Sequence, residues 1–194
     1  MKEIFESGSF SNYRTDSLYE ARSAIRSYAF SEGIVTVFLS HKHDELYDLK
    51  DIIGFLQKNY KVKVYIDSRD PLMPAKTSGK TAENIKIRIK QCNKFILLAT
   101  NGAIESKWCN WELGFGDAQK FSDKIALFPI KPKGSTDYEY KGTEYMSIYP
   151  YITYFDGSEK YTDGRLINRG YYVRTQKEDG SGTIEPLEEW FQKR

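Results

Sequence analysis

"IVTVFLSHKHDELYDLKDIIGFLQKN", residues 34–59, is the stretch whose reading decides the fold. Its first seven residues (34–40) are β-branched and nearly all apolar, the pattern of a strand buried on both faces. From His43 to Asn59 the apolar side chains recur at Leu46, Leu49, Ile53 and Leu56, a helical period. A fully buried strand that runs straight into an amphipathic helix is the opening half of a βαβ unit.

The same alternation continues downstream. "YKVKVYID" (60–67) alternates like a strand, and "SRDPLMPAKTSGK" (68–80) carries the proline and glycine of a loop. "TAENIKIRIKQC" (81–92) fits two periods. Ile85, Ile87 and Ile89 alternate with basic residues, whereas Ala82, Ile85, Ile89 and Cys92 share one helical face behind a Thr81 cap and Glu83 in the first turn. A helix is expected. "KFILLAT" (94–100) and "KIALFPI" (124–130) are further buried strands, "SKWCNWELGFGDAQKF" (106–121) is a helix capped by Ser106, and "YITYFD" (151–156) is a fifth strand. The sum is an α/β fold: a flavodoxin-like, doubly wound, mostly parallel five-stranded sheet with helices on both faces. Ligands of such sheets bind outside the carboxyl ends of the strands. Those ends are Ser40–His43, Asp67–Arg69 and Thr100–Asn101.

Outside this frame, residues 1–15 look irregular, and "DSLYEARSAIRSYAFSE" (16–32) reads as a helix capped by Asp16, so 1–33 is expected to be an N-terminal helical extension. "GYYVRTQKEDGSG" (170–182) suggests an edge strand and turn, and "IEPLEEWFQKR" (184–194) a terminal helix, so the main domain is expected to span 34–194 with a C-terminal strand and helix.

Composition removes several function classes. A net charge of +2 gives no global electrostatic case for nucleic acid or a membrane surface. No apolar stretch resembles a signal peptide or a membrane span, and two cysteines cannot build a disulfide framework, so a cytoplasmic protein with reduced thiols is expected. "SGKTAEN" (78–84) ends like a phosphate-binding loop, but Pro74 stands where that motif needs glycine. No G-x-S-x-G motif is present.

Two clusters remain. "HKH" (41–43) holds both histidines of the chain; at i, i+2 and without a clear third ligand they do not predict a metal. A polar cluster that contacts ligand at the first strand's end is the better reading. On the helix 106–121, Trp108 and Glu112 are four apart and share a face. Trp111, Phe115 and Ala118 form a second row, which is expected to pack on the sheet and leave Trp108 and Glu112 to the cleft. Gly114 and Gly116 suggest close packing or room for a ligand, because glycine costs about 1 kcal/mol inside a helix.

These residues resemble a Toll/interleukin-1 receptor (TIR) domain. "VFLSHKHD" (37–44) is similar to the family's opening box, and "VYID" (64–67) with its long loop, containing Leu72 and Gly79, to the second strand and BB loop. "SKWCNWEL" (106–113) resembles the Ser-x-Trp-Cys-x-x-Glu-Leu segment of enzymatic bacterial and plant members. The likeness covers 34–156; the BB loop is longer than usual. The resemblance implies cleavage of NAD, as substrate and not as cofactor, between nicotinamide and ribose, with Glu112 as the catalytic carboxylate. It further implies that Ser40, His41, Lys42 and His43 contact the nucleotide, that Asp67 sits at the base of the BB loop, and that Trp108 walls the pocket. Stand-alone prokaryotic members such as the Thoeris TIR subunit make an NAD-derived messenger for an effector, and a chain of 194 residues leaves no room for an effector domain of its own. TIR–TIR self-association is the implied mode of assembly. Two alternatives stay open: a non-enzymatic TIR scaffold, and a nucleoside deoxyribosyltransferase-like enzyme, which also uses a doubly wound sheet and a glutamate.

Overall fold

The computed structural model describes residues 1–15, 33–67, 78–120, 122–177, 179 and 181–193. The helix expected over 16–32 and the loop segment 68–77, with Leu72, lie outside the described residues.

The architecture follows from which apolar runs pair. The first expected strand is β2 (Thr36–Ser40), preceded by a two-residue strand β1 (Phe5–Glu6). After α1 (Leu46–Tyr60) come β3 (Lys63–Tyr65), α2 (Gly79–Gln91) and β4 (Lys94–Ala99). Then follow α3 (Asn101–Glu105), α4 (Lys107–Lys120), β5 (Ile125–Lys131), α5 (Thr143–Ile148) and β6 (Tyr151–Phe155). The chain ends in β7 (Gly170–Gln176), β8 (Gly182–Pro186) and α6 (Leu187–Gln192). The sheet order is β3-β2-β4-β5-β6-β7-β8, parallel from β3 through β6 and antiparallel across the last two pairings. The parallel part is the expected five-stranded doubly wound sheet.

Four local expectations change. α2 begins at Gly79, not Thr81: Ser78 is the cap, and Thr81 answers it from the third helical position, its hydroxyl accepting the Ser78 N–H at 3.1 Å. The strand expected over 60–67 is confined to Lys63–Tyr65, because α1 runs through Tyr60 and closes on Lys61 in the left-handed conformation. Ile184–Pro186 is not helical. The β-branched pair Thr183 and Ile184 joins the β7 hairpin, and the helix starts only after Pro186, which keeps Glu185 extended. Residues 1–15 are also not irregular throughout: β1 pairs with the end of β5, and Phe5 and Phe10 enter the core.

Each face of the sheet has its own core. α1, α6 and the N-terminal segment cover one face, with Leu49, Phe55, Phe10, Trp190 and Phe191 in one cluster. α2, α3 and α4 cover the other, against Phe38, Phe95, Leu97 and Leu127. The N-terminal segment crosses α1 at Gly54, where an added Cβ would overlap the Tyr13 carbonyl. Beside it the Arg14 guanidinium reaches the fully buried Asp51 at 2.8 Å, and this bond raises the arginine pKa further. Gly54→Ala is therefore expected to lift residues 1–15 off α1 at a cost of ~1–3 kcal/mol, an overpacking penalty. Thermal unfolding measures the loss, and limited proteolysis should cut first near Tyr13.

Candidate active site

α4 owes its place to one glycine. Gly116 lies on the sheet side, and a Cβ there would stand 3.0 Å from the Phe95 ring. Phe95 is in register with Phe38 of β2, and their rings stack at 5.5 Å. One helical turn before Gly116, on the same face, is Glu112; two residues beyond Phe38 is Ser40. The close approach at Gly116 thus brings Glu112 down onto the end of β2.

The row expected to face the sheet is not the one that does. Cys109, Glu112, Leu113 and Gly116 face it, while Trp111 and Phe115 are half-buried and Ala118 is exposed. The glycine lets this face of the helix settle against Phe95, where a Cβ would crowd the ring. The displaced rings turn toward α2, where the Lys86 ammonium lies 5.7 Å from the Trp111 ring centre and 5.6 Å from that of Phe115. Trp108 is also half-buried and stacks on Trp111 with centroids 4.9 Å apart. Its place beside Glu112 is therefore backed by a second indole, which the expected row division sends to the sheet.

Glu112 itself is 2% exposed. Its Oε2 accepts the Ser40 hydroxyl at 2.5 Å, and among the described residues no hydrogen-bond partner reaches Oε1. Burial pushes the carboxyl well above the ordinary glutamate range, and the nearby Asp67 charge adds to this; the Ser40 hydroxyl, His43 and the Trp108 indole pull in the other direction. Among the described residues no ion pair locks the group.

Asp67 reaches the site through strand register. Phe38 is level with Tyr65, so Ser40, at the end of β2, and Asp67, two residues past the end of β3, leave the sheet at the same level. Asp67 Oδ2 lies 3.0 Å from His43 Nε2, and this bond raises the imidazole pKa. His41 is buried, its ring centre 5.5 Å from that of His43. Ser40, His41, His43, Asp67, Trp108 and Glu112 are therefore neighbours. Lys42 is not among them: it points to the other side of the loop, pairs with Asp44 at 3.4 Å and lies along Gly102 beside Glu45. A cavity of about 260 Å³ lies on that other side, lined by Glu45, Asp48, Thr100 and Lys131, and Glu112 does not border it. Thr100, at one of the expected ligand-binding strand ends, hydrogen-bonds there to Glu45, which the sequence did not single out.

Both cysteines are free and buried, and burial raises each thiol, Cys109 to about 11 and Cys92 to about 12. Neither is a nucleophile at neutral pH. Among the described residues no helix is long and apolar enough to cross a membrane.

Comparison with known proteins bears on this arrangement. A Bacillus cereus (strain MSX-D12) protein named "Probable 3' cyclic ADP-D-ribose synthase ThsB'" is 34% identical over 125 residues, 61% of this chain and 61% of that protein. The chain thus spans under two thirds of that relative's length. A crystal structure of a prokaryotic SEFIR domain superposes with a TM-score of 0.40 at 16% identity, covering 55% of this chain and 72% of that one. The TIR domain model matches residues 37–167, more than half of the chain and all of the strands and helices around Glu112. The chain belongs to the TIR domain family.

Proposed function

We propose that the protein cleaves NAD at the bond between nicotinamide and ribose and releases an ADP-ribose product, in cyclic form, as a signalling nucleotide in antiphage defence. The observation that carries this reading is Glu112: a buried carboxyl above the strand ends, held by Ser40 through one oxygen and unpartnered at the other. The relative named as a cyclic ADP-D-ribose synthase supports the same chemistry.

The reaction asks little acid catalysis of the protein. As the C–N bond breaks, its electron pair goes to the nicotinamide nitrogen, which is already cationic and leaves neutral. Positive charge develops on the ribose, as in glycoside cleavage. Ionised Glu112 stabilises that charge, and its Oε1, which has no hydrogen-bond partner among the described residues, is an acceptor for a ribose hydroxyl. The Trp108 ring, fixed from behind by Trp111, excludes water and strengthens the carboxylate's field. Ring closure follows when a hydroxyl or ring nitrogen of the same ADP-ribose attacks the anomeric carbon. NAD enters as substrate, with His43 and Asp67 beside the sugar; self-association through TIR surfaces assembles the active form, and a separate effector reads the product.

The test is incubation of the purified chain with NAD, alone and with extract of phage-infected cells, followed by chromatography and mass measurement. Release of nicotinamide with a product of the mass of ADP-ribose less one water supports the proposal. Base exchange on deoxynucleosides without NAD turnover identifies a deoxyribosyltransferase instead, and no turnover of either substrate in both conditions leaves the scaffold reading.

A further inference from the structure

We infer that His41, His43 and Asp67 form a binding site for a divalent transition metal of the zinc class at the carboxyl end of β2. One ligand atom from each of the three lies within 4.8 Å of the other two. Two imidazoles and a carboxylate are the donor set that zinc takes from proteins, with metal–ligand bonds of about 2.0–2.2 Å and a further position left for water or substrate. At those bond lengths, neighbouring ligand atoms around a tetrahedral ion stand roughly 3.3 Å apart; His43 Nε2 and Asp67 Oδ2 are already at 3.0 Å.

A second observation concerns the inner histidine. The buried His41 ring has Nδ1 3.4 Å from the Leu39 carbonyl oxygen. With the proton on Nδ1 this contact fixes the ring and makes Nε2 the ligating nitrogen, the tautomer-fixing arrangement that metal-binding histidines use. The outer histidine supplies the adjustment. His43 is exposed on the loop between β2 and α1, so its ring can swing to close the remaining gap, while His41 and Asp67 are held by burial. The i, i+2 histidines gave no metal signal in the sequence because their third partner lies just past the end of β3, and the register of β2 and β3 brings it alongside.

The competing reading is a plain His43–Asp67 ion pair with His41 as packing. The experiment separates the two without depending on any reaction assigned to Glu112. Untagged, chelator-treated chain is titrated with zinc chloride by calorimetry, and in parallel with cobalt chloride, whose visible bands report imidazole coordination. The chain has only these two histidines, so no other imidazole can produce the signal. The site predicts one ion per chain, with affinity weakened about 100-fold or more in His43→Ala and in Asp67→Asn, since outer partners alone cost 10–100-fold. His43→Ala removes an exposed side chain and is expected to keep the wild-type melting curve. Absence of binding at micromolar metal, or affinity unchanged in both variants, overturns the site.

Discussion

Glu112→Gln is expected to lose ~10²–10³ in the rate of NAD cleavage, the scale of removing one preorganised charge-stabilising group, and at the same time to melt at a higher temperature than wild type. The two effects have one cause. Wild-type Glu112 is buried beside Asp67 and holds its proton more tightly folded than unfolded. Where the unfolded chain has released that proton and the folded chain has not, ionisation works against folding. The resulting stability is complete at pH below the ordinary glutamate value and is lost as pH rises through the raised folded value. Glutamine keeps the shape, still accepts the Ser40 hydroxyl, and never ionises. The melting curves of the two proteins should converge near pH 4 and separate above neutrality, with about 2–4 °C for each kcal/mol in a domain of this size. The catalytic profile runs the opposite way. Only the carboxylate stabilises the ribosyl cation, so wild-type kcat/KM should climb with pH to a plateau whose midpoint lies above the usual carboxylate range. Glu112→Gln should show no such climb. A variant of full activity, or a flat wild-type profile, removes Glu112 from the chemistry.

The layout around that acid was legible in unequal measure. Contiguous apolar runs at 34–40, 94–100 and 124–130, short and rich in β-branched and aromatic residues, read as strands covered on both sides, and the parallel sheet followed from them. Ser40 and Glu112 were visible because one ends a strand and the other sits in a dense local motif. The face of α4 was not. Trp111, Leu113 and Phe115 are all apolar, and helical spacing permits more than one buried stripe. What decides between them is the contact of Gly116 with Phe95, which no local pattern contains. Asp67 and His43 likewise meet only through the register of β2 and β3. The N-terminal segment escaped notice because Ile4, Phe5 and Phe10 are too few and too irregular to make a period, yet all three are buried.

The tryptophan on which folding depends is Trp190, and Trp190→Ala should cost ~3–5 kcal/mol, a large share of the 5–15 kcal/mol that holds an ordinary domain together. Trp190 is 2% exposed and pins α6 to the sheet next to Phe191, with ring centroids 5.1 Å apart. It also faces a buried cation. Lys94, at the first position of β4, has no exposed surface, and its ammonium lies 4.6 Å from the Trp190 ring centre. Burial lowers that lysine to about 8, so the unfolded chain binds the proton more tightly and stability should rise as pH climbs from about 8 toward the ordinary lysine value. Removing the indole takes away the ring face that partly compensates the charge and opens a cavity around it. Trp190→Ala combined with Lys94→Met should therefore recover part of the loss, because the uncompensated ammonium is gone. Trp111→Ala makes the comparison: that ring is half-buried at the α2 edge, and its loss should cost clearly less than that of Trp190. Denaturant unfolding of the four proteins decides it. A Trp111→Ala loss equal to or larger than that of Trp190→Ala would return the structural weight to α4, and a double variant no better than Trp190→Ala would mean the ammonium was never a burden on the fold.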